Sequence, residues 1–167
     1  RGFLLHVPQI GAAQAIYYDV TALSEACKLI KKEHLKKPIV YIMACRIGPF
    51  MKHFVKKIHA LGGKVYLNPD GHEWMRAKWS VPVRKYWKES ERMMVKYADL
   101  SICDSKNIEK YIQKEYADYK PETTFIAYGS ETTPSSMADN DPKYIGWLKE
   151  HGLHDGEFYI SVGRFVP

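Results

Sequence analysis

Short apolar runs alternate with helical patterns along the chain. Runs of strand length occur at 2–7, 39–45, 64–68, 100–104, 124–128 and 158–162. Between the first two, Ala15, Tyr18, Ala22, Ala26 and Ile30 recur at helical spacing and predict a helix over about 12–34. A second is expected from Gly48-Pro49 to Leu61, with proline tolerated at its start and Gly62-Gly63 as its stop. A third occupies about 83–97, after Ser80 and Pro82 break the preceding turn. A fourth begins at the capping pair Asp104-Ser105 and carries Ile108, Tyr111 and Ile112 on one face. The last spans about 141–151, opening on Asp141-Pro142.

Strict alternation of strands and helices implies crossover units. The expected fold class is therefore α/β, a Rossmann-like parallel sheet with helices on both faces. Residues 130–140 differ in composition: Glu-Thr-Thr-Pro-Ser-Ser-Met-Ala-Asp-Asn reads as an exposed linker. The organisation that follows is a domain over 1–130, a linker and helix over 131–156, and a strand over 157–167 that starts a second unit.

With 167 residues, 46% hydrophobic and 26% charged, the chain can bury a core and is not a disordered polymer. No apolar run approaches the ~20 residues of a membrane-spanning helix. The chain opens on Arg1 and closes on Pro167 just after an apolar run, which suggests a piece of something longer. Cys27, Cys45 and Cys103 lack CxxC spacing and sit in apolar settings, as buried thiols of a cytosolic protein do.

Net charge is +6 with a pI near 9.1, favouring anionic partners. The excess concentrates between Arg76 and Lys96, where seven cations face Glu89 and Glu91 and interleave with Trp79, Tyr86, Trp87 and Met93.

Candidate chemistry gathers where strands end. The run 64–68 stops at Pro69-Asp70-Gly71, followed by His72, Glu73, Arg76 and Lys78. The other ends carry Arg46, Asp104-Ser105, Gly129-Ser130-Glu131 and Gly163-Arg164. Ligands of open α/β sheets bind beyond the carboxyl ends of the strands, and parallel strands bring these residues to one edge. Glycines admit close backbone approach, helix N-termini favour phosphate, and arginine offers a planar fork to diphosphate oxygens. An anionic nucleotide derivative suits that set. Taken singly the signals have plainer readings: Asp104-Ser105 as a helix cap, Gly129 as a turn, Arg46 as half of an ion pair. His72 and Glu73 are adjacent and His53 and His59 are six apart, so neither pair has metal-ligand spacing, and no metal is expected. There is no GxGxxG dinucleotide fingerprint.

Four ordered motifs carry a resemblance. They are Asp70-Gly71-His72-Glu73-Trp74-Met75-Arg76-Ala77-Lys78-Trp79, Tyr97-Ala98-Asp99-Leu100-Ser101-Ile102-Cys103-Asp104-Ser105, Phe125-Ile126-Ala127-Tyr128-Gly129-Ser130-Glu131 and Val162-Gly163-Arg164-Phe165-Val166-Pro167. In order and spacing they resemble the retaining glycosyltransferases of family 4, which have the GT-B architecture. Within that family the chain is most similar to bacterial rhamnosyltransferases of capsule and cell-wall polysaccharide synthesis, including in Ala44-Cys45-Arg46-Ile47-Gly48-Pro49.

The resemblance implies transfer of a sugar, rhamnose from dTDP-rhamnose, to a lipid-linked oligosaccharide with retention and without a metal or other cofactor. The chain would be the later part of an acceptor-side domain joined to the first strand of a donor domain, inactive by itself. Arg164 with Gly163 would hold the donor diphosphate and Gly129 would allow close approach. Asp70, His72 and Glu73 would stand around the sugar or acceptor, with Arg46, Arg76, Lys78, Trp79, Asp104 and Ser105 as further substrate contacts. Many family members carry histidine where this chain has Asp70, and an ionised carboxylate accepts but cannot donate a hydrogen bond. The setting would be cytoplasmic, at the inner face of the plasma membrane, with the basic aromatic stretch facing anionic lipid and no nucleic-acid partner. The competing reading is a basic α/β module for nucleic acid or protein interaction without catalysis.

Overall fold

The computed structural model describes residues 4–129 and 132–160. The chain divides into two compact units, 1–128 and 129–167. In the first, four parallel strands are hydrogen-bonded in sequence order: β1 (Ile39–Met43), β2 (Lys64–Asn68), β3 (Leu100–Cys103) and β4 (Thr123–Phe125). Helices α1 (Gln14–Lys32), α2 (Gly48–Ala60), α3 (Val81–Tyr97) and α4 (Lys106–Glu115) flank them. This is the Rossmann-like α/β class that the alternation predicts.

Each helix follows from its apolar stripe. Leu23, Cys27 and Ile30 of α1, Met51, Phe54, Val55 and Ile58 of α2, and Trp87, Glu91, Met94 and Val95 of α3 are all buried at three- and four-residue spacings. Helix α2 has proline in its first turn and ends before Gly62, whose φ of +77° an L side chain rarely adopts. Ser105 caps α4 by accepting from the Asn107 N–H at 3.2 Å.

Because each strand's neighbour is the next in sequence, right-handed crossovers set α2, α3 and α4 on one side of the sheet. Ile42, Val65, Leu67 and Cys103 point to that side and share one core with Met51, Ile58, Met94 and Ile112. The alternate positions of β1 (Ile39, Tyr41 and Met43) are exposed.

Two expected strands differ. Residues 4–7 form no strand, since a strand needs a ladder partner and Pro8 removes a donor at its end. Residues 158–160 are likewise outside any strand, and 161–162 lie outside the described residues. The second unit holds α5 (Pro142–Glu150), capped by Asp141 accepting from the Lys143 N–H at 2.8 Å. Among the described residues no helix is long and apolar enough to cross a membrane.

Candidate functional site

A cleft of about 270 Å³ opens at the carboxyl ends of β1 and β2, where crevices of open parallel sheets lie. Its wall on the β1 side is Ala44, Cys45 and Arg46; on the β2 side it is Pro69, Asp70 and the turn 73–79. Ala15, Trp87 and Glu91 complete it. An adjoining groove shares Ala15, Arg46 and Trp79 and adds Val7, Gln14 and Tyr18.

The backbone at this edge is held away from its ordinary conformations. Ala44, Asp70 and His72 have φ of +75°, +55° and +37°. A left-handed residue other than glycine costs of order 1–3 kcal/mol, and such strain clusters where a site is being shaped. Neighbouring bonds sustain it: the Ala44 N–H donates to the Asn68 carbonyl at 2.9 Å, and the Asp70 N–H to the Asn68 side-chain oxygen at 2.7 Å.

Arg46 is fixed by a two-pronged bond to Asp19 of α1, Nε to Oδ2 at 2.6 Å and Nη2 to Oδ1 at 3.3 Å. Its carbonyl accepts from the Tyr86 hydroxyl of α3 at 2.7 Å. Glu73 organises the turn that follows β2. It accepts from Arg76 Nε at 2.6 Å, from Trp79 Nε1 at 2.8 Å and from Lys78 Nζ at 3.1 Å. Both of its oxygens are thereby occupied, so Glu73 builds the loop that carries the neighbouring side chains. The Asp70 carboxylate is exposed and accepts no hydrogen bond from the described residues.

Three tryptophans stand at the cleft: Trp74, Trp79 and Trp87. Trp79 and Trp87 lie 5.9 Å apart between centroids, and Lys78 sits over the Trp79 ring at 4.6 Å. The indole N–H groups of Trp74 and Trp87 are buried without an acceptor. Such a donor ordinarily costs about 1–3 kcal/mol.

Beneath the cleft, Glu91 is 4% exposed and accepts from the hydroxyls of Tyr111, at 2.5 Å, and Tyr116. Lys88 stands 3.7 Å from Glu91 and bonds to Glu115 at 2.6 Å and Tyr111 at 2.7 Å. Burial opposes the charge on Lys88, yet the bonds to Glu115 and Tyr111 outweigh it and hold the ammonium above the ordinary lysine range. Burial first, and the bond to Glu91 second, push both tyrosines up.

The structure therefore brings Arg46, Asp70, Glu73, Arg76, Lys78 and Trp79 to one cleft. His72 does not line it; its ring lies 4.2 Å from that of Tyr111 in α4. Ser105 caps α4 and Asp104 is half-buried at the end of β3, both outside the cleft lining. Gly129 falls in the other unit, and a Cβ there would meet nothing within 4 Å. Gly163 and Arg164 lie outside the described residues. Sequence reasoning missed Asp19, Trp74 and Glu91 as parts of this site. Glu91 had a signal, a carboxylate on the buried stripe of α3; Asp19 closes the 7–19 segment that shares in the resemblance, but its pairing with Arg46 shows only in the fold.

Among the described residues no three His, Cys, Asp or Glu side chains could share a metal ion. The cysteines are inert by position. Burial raises the Cys45 thiol well above its ordinary range, with Glu91 and Asp70 adding to the effect. It pushes Cys103 up to about 11 and also raises Cys27. All three should resist a thiol reagent at pH 8 in the folded protein and react together on unfolding; rapid native-state labelling of Cys45 would show the cleft floor to be open.

No curated protein matches the chain. A family model described as Domain of unknown function (DUF1972) matches residues 1–131, and the chain belongs to that family.

Proposed function

We propose that this protein is a retaining glycosyltransferase whose first unit binds the acceptor. It would move a sugar, rhamnose from dTDP-rhamnose, onto a lipid-linked oligosaccharide of bacterial capsule or cell-wall synthesis. The observation that carries this reading is the composition of the cleft: three tryptophan rings beside a carboxylate, Asp70, that no donor among the described residues occupies. A pyranose has apolar ring faces and a rim of hydroxyls, so flat rings and an open acceptor match it. The motif resemblance supplies the donor: Arg164 would face its diphosphate as charge develops there, while the described residues orient the acceptor and exclude water. Family membership adds no activity of its own to this reading.

The nucleic-acid reading draws less support. Along α3, Arg84 donates to the Trp74 carbonyl at 2.8 Å, Lys88 is taken by Glu115 and Tyr111, and Arg92 by Glu89 and Tyr119. A phosphate-tracking surface needs cations free to neutralise the backbone. Peripheral contact with anionic lipid keeps more support from exposed apolar Met75 and Val81 and from exposed Lys85, which is paired with none of the described residues.

The test is incubation of the full-length protein with dTDP-rhamnose or UDP-glucose and a membrane lipid extract, following sugar into the lipid phase. Transfer from dTDP-rhamnose is the expected result. It should fall at least about tenfold in Asp70→Asn, the equivalent of one hydrogen bond to a charged group. Transfer from UDP-glucose alone would keep the reaction class and change the donor; none from either would reject the proposal.

A further inference from the structure

We infer that Trp74 and Trp87 read the acceptor sugar, each donating its indole N–H to a hydroxyl oxygen of the ring bound in the cleft. This rests on the reading of the cleft as a sugar site and adds the residues that select the sugar.

The chain has four tryptophans, three of them at this cleft. Trp79 spends its N–H on Glu73 at 2.8 Å. The N–H groups of Trp74 and Trp87 meet no acceptor, although Trp87 is only 9% exposed. Buried polar groups are nearly always paired, so two orphans on one cleft call for a partner from outside the chain. An indole nitrogen can only donate, which makes that partner an acceptor.

The rings themselves are held by packing. Trp87 lies 5.9 Å from both Trp79 and Tyr86, and Lys88 stands 4.6 Å over the Trp74 ring. Their N–H groups are therefore left over for a ligand. Charge decides its class. Arg46 is paired with Asp19, Glu73 offsets one of the two charges of Arg76 and Lys78, and the Asp70 carboxylate on the same lining offsets the other, so the cleft has no net positive charge to draw an anion. A hydroxyl can accept from an indole and donate to Asp70 at once, as a neutral sugar requires. Both nitrogens are covered from water, so engagement requires each ring to turn out of this packing toward the ligand.

Indole cross-peaks make the test direct. The full-length protein, ¹⁵N-labelled at tryptophan and assigned through single Trp→Phe variants, is titrated with methyl α-L-rhamnopyranoside, methyl β-D-glucopyranoside or inorganic phosphate. Concentrations reach about 100 mM, enough to half-fill a site of that dissociation constant. Downfield movement of the Trp74 and Trp87 indole protons with a glycoside, beyond any movement of Trp79, is expected. Trp87→Phe should then raise the acceptor KM at least about fivefold with kcat nearly unchanged, the pattern of lost uniform binding. Stationary Trp74 and Trp87 peaks with both glycosides, or movement with phosphate alone, would overturn the inference. Stationary peaks in a protein that transfers sugar defeat this inference and spare the transferase reading; moving peaks without transfer do the reverse.

Discussion

Replacing Gly48 by alanine is expected to lower the stability of the first unit by about 2–3 kcal/mol, although the same change in most helices is favourable. A Cβ at this position would stand 2.4 Å from the Ser90 Cα and 2.6 Å from the Ser90 carbonyl oxygen. Both are backbone atoms of α3, which cannot swing aside as a side chain can. The contact is also bonded, since the Gly48 N–H donates to the Ser90 hydroxyl at 2.7 Å. Separating α2 from α3 would break that bond and loosen the packing of Met51 and Met94, both fully buried. Urea unfolding measures the loss. Gly146→Ala is the control: it lies within α5 with nothing inside 4 Å, so propensity alone should act and stabilise that helix by about 0.5–1 kcal/mol. Equal, small effects at both positions would mean that α2 and α3 are not held this close.

The second large effect is expected at Glu91. Its replacement by alanine removes the acceptor of two tyrosine hydroxyls and the nearest buried countercharge to Lys88, at a cost of about 3 kcal/mol or more. Glutamine keeps an acceptor and should lose less. The same network sets an alkaline limit on the fold. Tyr111 and Tyr116 titrate higher in the folded chain than in the unfolded one, whose tyrosines lose protons near pH 10. Above about pH 10 the unfolded state therefore holds fewer protons and stability falls as pH rises, while below it the contribution is fully present. Tyr116→Phe should flatten that fall in pH-dependent unfolding; an unchanged slope would place the titration elsewhere.

Much of the fold was legible because its signals are local. The run 64–68 became β2 without adjustment, and the other three strands of the sheet fell within two or three residues of the apolar runs that predicted them. The described parts of two expected strands, 4–7 and 158–160, misled for the same reason: an apolar run shows the capacity to pair, whereas a strand also needs a neighbour in register. At the site, the residues that cluster in sequence after β2 also cluster in space, so Asp70, Glu73, Arg76, Lys78 and Trp79 were found together. Arg46 joined them because parallel strands align their ends. The plainer reading of Arg46 as half of an ion pair also holds, with Asp19 as the partner 27 positions away. No pattern along one segment predicts that meeting. Ser105 shows the opposite case, a strand-end hydroxyl fully explained by its cap.

The order of the sheet leaves β1 with a single neighbour among the described residues. Its outer edge presents the unpaired half of a five-residue ladder, and Ile39, Tyr41 and Met43 stand on the exposed face beside it with two-fifths to three-fifths of their surface open. An edge of this kind is a template onto which a further strand can zip, its own or a stranger's. Lys36 and Lys37 precede it across Pro38, charges of the sort that hold sticky segments apart. Neutralising those charges, by substitution or high salt, is expected to favour pairing of this edge with a second chain, read as a rise in light scattering.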